Sequence, residues 1–389
     1  MVTCSVRIPS VELGAIIPLS ELQKQGLCVF RYEDEILLSL DDIAWCDLLF
    51  VVRGVSSLSV LAARRAKELG RVVLGYWDDD FLSIPEYSLS HSYYSSPVLR
   101  NNMNVLFELT DAFFSPSTKL AAKLSTLHRN EAKVLPAIMA LEEFPPIAAN
   151  TNRTPIIGYA AGPDHMLILN SLCSPAIAAV ANTGVKFSVH VAGPKPDFLD
   201  DLPIETTYTP YIGDYYKYLA FAANLAWDIG LAPQMDSEFT TFKFYNKLLE
   251  CSYIGCAGIY SKLEPYTSVI EDGITGLLVE NEVAAWKEAM LRLLSDSKLR
   301  FALAANAREY VQNHHNKKLI AEQYAATLEP FLTYRAPEIG NRSLPIQNVL
   351  YQANKVYEFG REHVAIYGVR HLIIAAPRYS FSLLRRKVF

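Results

Sequence analysis

Two lysines four residues apart, Lys243 and Lys247, precede Glu250, and loops with further polar groups flank the trio. Upstream lie Asp236 and Glu238; downstream lies the run Glu264, Pro265, Tyr266 and Thr267. If the lysine segment is helical, both ammonium groups project to one side. Cations held together in this way stabilise an anionic leaving group. The plain alternative is a solvated helix face, with Glu250 as a cap or ion-pair partner. His165, after Gly162-Pro163-Asp164, opens a helical pattern and is read either as a phosphate or acceptor contact or as a helix cap. Asp78-Asp79-Asp80 ends another apolar run. These carboxylates could orient hydroxyl groups, solvate a strand end or, as an Asp-x-Asp pair, invite a metal. His190 reads as core and His314-His315 as surface, and no zinc spacing is present. The chain also lacks P-loop, Gly-x-Ser-x-Gly and dinucleotide-fingerprint motifs.

The elements that must position these groups are short and alternate in type. Asp228–Pro233 reads as an apolar strand broken by proline and Ile254–Tyr260 as the next strand, and the stretch that ends at Val279 closes on a third. In a parallel α/β sheet, ligands bind beyond the carboxyl ends of the strands. Topology therefore gathers 236, 238, 243, 247, 250 and 264–267 at one mouth. In the first half, strands are expected at Leu27–Phe30, Asp47–Arg53, Arg71–Trp77, Asp111–Ser115 and Lys133–Pro136, with helices at Leu19–Gln25, Leu58–Leu69 and Thr118–Leu127. After the proline-rich stretch that ends at Pro155, strands at Ile156–Ala161 and Lys186–Ala192 flank a long helix, and Tyr215–Ala226 is helical. Val283–Leu294 is a one-faced helix, and Asp296 caps another that runs to about Val311.

A chain of 389 residues, 51% apolar and 20% charged, suits two domains of about 150–180 residues each. The expected division is 1–145, a linker at 146–154, a second domain at 155–330 and a tail at 331–389. The net charge of −5 is uneven: residues 335–389 hold nine Lys/Arg against three Asp/Glu, leaving the remainder at −11. So acidic a body is a poor nucleic-acid binder. Six cysteines without a C-x-x-C pair read as reduced core residues of a cytoplasmic protein. No export signal or membrane span is expected. The basic tail, helical over Val349–Ile366, suits either packing back on the first domain or contact with an anionic membrane surface.

The stretch 227–279 resembles the donor half of retaining, nucleotide-sugar-dependent glycosyltransferases of the GT-B fold, of the family 4 type. The resemblance rests on Asp228–Pro233, Asp236, Lys243, Lys247-Leu-Leu-Glu250, Gly255, Ile259–Ser261, Ile270–Gly273 and Gly276–Val279. It covers roughly residues 40–330, most firmly 227–311. It implies an α/β protein with two Rossmann-like parallel-sheet domains facing a cleft and a C-terminal helical tail. It further implies metal-independent transfer of a hexose or deoxyhexose from a nucleoside diphosphate sugar, with no cofactor, to a glycan or lipid-linked glycan at the inner face of a membrane. Lys243 is then placed near the diphosphate, Glu250 near the ribose, and Lys247 with the 264–267 loop on the donor. His165, Asp79 and Asp80 fall on the acceptor or phosphate side. The sequence departs from the family at Phe242, where a glutamate eight positions before Glu250 is usual. Asp236 or Glu238 would have to serve in its place. Otherwise the chain is a non-catalytic relative that binds a sugar nucleotide or a partner enzyme. A nucleotide-sugar epimerase on the same fold is the other alternative.

Overall fold

Twelve strands form two parallel sheets in the computed structural model, which describes residues 1–139, 153–160, 162–339 and 344–368. The first sheet runs β2-β1-β3-β4-β5-β6, with β1 at Val2–Cys4, β2 at Tyr32–Asp34, β3 at Leu48–Val52, β4 at Val72–Tyr76, β5 at Ala112–Ser115 and β6 at Lys133–Val134. The second runs β9-β8-β7-β10-β11-β12, with β7 at Ile156–Ala160, β8 at Ser188–Ala192, β9 at Glu205–Thr209, β10 at Ile229–Ala232, β11 at Ala257–Ser261 and β12 at Leu277–Val279. A strand order that reverses between β7 and β10 makes a crevice at their carboxyl ends, the usual ligand position in such sheets.

The apolar runs become the central strands because both faces of a parallel sheet are covered by helices. Leu48–Val52 and Ser188–Ala192 are almost wholly buried. The edge strands obey a weaker rule. The expected strand at Leu27–Phe30 is a loop, with Leu27 and Val29 exposed; the edge is instead the polar Tyr32–Asp34, paired with β1 in the register Val2↔Tyr32 to Cys4↔Asp34. The opposite sheet has a polar edge at Glu205–Thr209, likewise without an apolar signature. Ile254, expected in a strand, ends the helix Asn246–Ile254. Gly255 adopts φ 85°, a left-handed cap that lets the chain turn into β11.

Two compact units enclose these sheets. One comprises 1–86, 90–138 and 317 onward; the other comprises 87–89 and 139–316. The first core gathers Leu49, Val51, Val73, Ala63 and Leu106, and the second gathers Ile157, Val189, Leu231, Ile259, Leu172 and Trp286. The expected limit at 330 falls inside the helix Lys317–Leu332, which packs on the helix Ile17–Lys24 of the first unit. Tyr324 there donates to the Gly14 carbonyl at 2.8 Å. The helix Leu344–Tyr367 also packs on the first unit, against the helices Leu40–Trp45, Ser57–Glu68 and Pro97–Leu109. The expected linker lies mostly outside the described residues, as does the tail beyond 368. Asp296 caps the helix Ser297–His314, its carboxylate accepting from the Leu299 amide. All six cysteines are free, and among the described residues no helix is long and apolar enough to cross a membrane.

Candidate functional site

The helix Asn246–Ile254 begins beyond the carboxyl end of β10 and carries Lys247 and Glu250 one turn apart. The Lys247 Nζ lies 2.6 Å from Glu250 Oε2, and the Tyr218 hydroxyl donates to the same oxygen at 3.1 Å. Glu250 is buried, and these donors satisfy its carboxylate oxygen there. Tyr218 belongs to the helix Tyr215–Leu225, and Tyr215 one turn earlier is buried with no hydrogen-bond partner for its hydroxyl among the described residues. Burial, then the neighbouring Glu250 charge, pushes both phenols well above their ordinary range. A buried carboxylate, an ammonium group and two phenols thus converge at one strand end. The two tyrosines are the part the sequence reading missed; Tyr215-Tyr216-Lys217-Tyr218, on the helix preceding β10, was the available signal.

The surrounding loops are clasped together. The Gln234 amide donates to Ser261 Oγ at 2.8 Å, Ser261 Oγ donates to Asn281 Oδ1 at 2.6 Å, and Asn281 Nδ2 returns to the Gln234 carbonyl at 2.8 Å. This triangle ties the ends of β10 and β11 to the segment after β12. Tyr266 packs its ring 4.9 Å from Tyr260 and is buried with Pro265, whereas Thr267 is exposed. The amides of Tyr266 and Thr267 both donate to the Leu263 carbonyl, and the Glu264 carboxylate accepts from Ser268 Oγ at 2.7 Å. His165 stands in the turn after β7, its carbonyl accepting from Tyr159 at 3.3 Å, and its side chain does not cap the following helix.

Two expectations, for Lys243 and His315, need correction. Lys243 does not share a helix face with Lys247. It lies between the short helix Glu238–Thr241 and the helix Asn246–Ile254, its ammonium 4.7 Å from the centre of the Phe239 ring. The chain leaves helical geometry there to bury Phe244, stack it on Tyr245 at 4.1 Å and bring the Tyr245 hydroxyl to His315 at 3.2 Å. His315, expected at the surface, is accordingly buried. Asp79 and Asp80 belong to the first unit and are engaged there. Arg53 pairs with Asp78 and, at 3.2 Å, with Asp79, while the buried Asp80 pairs with Lys123 at 2.6 Å and accepts from Leu82 and Ser83. These bonds make Asp80 an anchor of the turn after β4. Asp236, on the loop after β10, and Glu238, the first residue of the short helix that Ser237 caps, are exposed. Among the described residues no cluster of His, Cys, Asp and Glu is arranged to hold a metal.

No protein-family model and no curated protein matches the sequence. Solved structures do match. HepE from Anabaena, in complex with UDP and glucose, aligns over 85% of this chain and 99% of its own with a TM-score of 0.61 at 14% identity. A glycosyltransferase from Rickettsia africae covers 85% and 98% at TM-score 0.55 and 15% identity. Sucrose-phosphate synthase from Thermosynechococcus elongatus covers 73% of each chain at TM-score 0.53 and 17% identity. At such identities the likeness establishes the fold, and the fold is GT-B.

Proposed function

We propose that this chain transfers a hexose or deoxyhexose from a nucleoside diphosphate sugar to a glycan or lipid-linked glycan, with retention and without a metal. The observation that carries the reading is the Lys247–Glu250–Tyr218 cluster at the strand ends of the second unit. HepE, which shares this fold, holds UDP-glucose in one of its structures. In the proposed complex Glu250 accepts hydrogen bonds from the ribose hydroxyls. Lys247 turns from Glu250 toward the diphosphate, and Lys243, Asp236 and Glu238 act on the leaving group or the sugar. The bond from the anomeric carbon to the phosphate oxygen breaks as the bond to the acceptor oxygen forms. The acceptor proton passes to the departing phosphate, and cationic and hydrogen-bonding groups stabilise the charge that builds there.

Phe242 in place of glutamate, with Lys243 drawn over the Phe239 ring, favours one alternative, binding of a sugar nucleotide without turnover. A thermal-shift panel with UDP, GDP, dTDP and their sugar conjugates tests the site. Ligand at about 100 times Kd adds about 2.7 kcal/mol, a shift of several degrees. One nucleotide should stabilise the wild type and leave Glu250→Ala unmoved, with Lys247→Met weakened about tenfold. No shift with any nucleotide would sink the donor-site reading. A shift without sugar release or transfer to any glycan would select the non-catalytic alternative.

A further inference from the structure

Tyr215 holds a buried hydroxyl that the proposed transfer does not use. It opens the helix Tyr215–Leu225, which packs on the helix Asn246–Ile254. Tyr215 and Tyr218 stand one turn apart on that helix, with their rings 6.3 Å from centre to centre. Tyr218 donates to Glu250 Oε2 at 3.1 Å, and Lys247 reaches the same oxygen at 2.6 Å. Those two donors fill it, because one carboxylate oxygen offers two lone pairs. The Tyr215 hydroxyl is left without a partner among the described residues, although the residue is only 5% exposed. Such a group is a net cost to the fold unless another state of the molecule uses it. Burial, then the Glu250 charge, raises its phenol well above the ordinary range, so it stays protonated, a donor beside an acceptor.

We propose that Tyr215 is a positioning residue that takes the place of Lys247 on Glu250 when a nucleotide binds. This exchange rests on the donor-site reading above, in which Lys247 turns to the diphosphate and Glu250 holds the ribose. Lys247 is able to leave: its side chain is 26% exposed and ends a flexible four-carbon stem. Its departure opens one lone pair on a buried carboxylate oxygen, which is costly unless another donor arrives. Tyr215 is a buried donor beside Glu250 that has no other bond to give up among the described residues. Glu250 Oε1, also without a partner among the described residues, is then the oxygen left for the ribose hydroxyls. Tyr215 thereby separates two tasks, holding the carboxylate while the ammonium meets the phosphate.

Melting and titration of the full chain test the exchange, with Tyr215→Phe, Lys247→Met and the two combined, and with UDP, GDP and dTDP as probes. Without ligand, Tyr215→Phe in the wild-type background should keep or raise the melting temperature, because the lost hydroxyl bonds nothing there. Lys247→Met vacates the lone pair permanently, so Tyr215 should already be engaged in that variant. Adding Tyr215→Phe to it should then lower the melting temperature by about 2 °C or more. With ligand, Tyr215→Phe alone should weaken binding of the nucleotide that stabilises the wild type by about tenfold. A lower melting temperature from Tyr215→Phe in the wild-type background would overturn the proposal, since the hydroxyl would already have a partner. So would the absence of any coupling to Lys247, which would make a lost affinity the mark of direct contact with the ligand. Unchanged nucleotide affinity in Tyr215→Phe would overturn the exchange and leave the donor site standing. No binding by the wild type would overturn both.

Discussion

Burial favours the neutral form of an acid in the first unit, Glu35, and of a base in the second, His190. Glu35, just past β2, is buried and accepts from Ser56 and Ser59 at 2.9 and 2.6 Å. Burial outweighs those donors and pushes its pKa up to about 7. His190, in β8, reaches Thr209 through Nε2 at 3.0 Å, while Nδ1 has no partner and the rings of Trp227 and Phe221 lie 5.6 and 6.0 Å away. Burial lowers its pKa to about 4. Both groups favour their neutral forms, and since one is an acid and the other a base, their contributions to stability change with pH in opposite directions. Similar sheets do not imply similar electrostatics.

In packing the two units agree: each sheet holds a glycine against an aromatic ring. In the second sheet a methyl group on Gly158 would come within 1.9 Å of the Trp227 ring, and in the first a methyl group on Gly75 would come within 2.4 Å of Phe113. Gly158→Ala should cost about 3 kcal/mol in chemical denaturation, by displacing a buried indole. A cost below about 1 kcal/mol would mean that the indole has room to move.

The pH contrast comes next in size. Between pH 4.5 and 7 the folded first unit keeps a proton on Glu35 that the unfolded chain releases, so stability falls as pH rises through that window. Between pH 6.5 and 4 the unfolded chain takes up a proton on His190 that the fold refuses, so stability falls as pH drops. Each effect amounts to about 2–3 kcal/mol. Glu35→Gln should flatten the first slope and His190→Phe the second, measured by hydrogen exchange resolved to each unit. Parallel profiles in the two units would break the comparison.

A smaller difference lies in the strand-end carboxylates. Asp80→Asn should cost about 2 kcal/mol, because Lys123 loses its partner and the turn at Leu82 and Ser83 loses an acceptor. Nucleotide-induced stabilisation of the second unit should persist in this variant. Its loss would show that Asp80 does more than hold the turn.

Much of this architecture was legible in the residues. The buried strands Leu48–Val52, Val72–Tyr76 and Ile229–Ala232 show as apolar runs because helices cover both faces of a parallel sheet. Edge strands such as Tyr32–Asp34 have one strand neighbour and half-buried positions, so composition hardly marks them. Within the site, Lys247 and Glu250 keep the relation their spacing implies because three residues span one helical turn. Lys243 does not, because burial of Phe244 and the Tyr245–His315 bond decide the backbone there. His315 is 70 residues away along the chain, and no local pattern could announce it.

By itself, then, the sequence determined the alternating parallel architecture, the helix carrying Lys247 and Glu250, and the uneven charge of the C-terminal region, since each is written in local period and composition. Tertiary structure alone decided that Tyr218 completes the Glu250 cluster and that Arg53 and Lys123 neutralise the acidic turn at 78–80. It also decided that the last described helix buries Tyr351 and Lys355 while leaving Ile346 and Val349 exposed. These are long-range choices, set by which polar groups must find partners once water is excluded, and the partners lie far away along the chain.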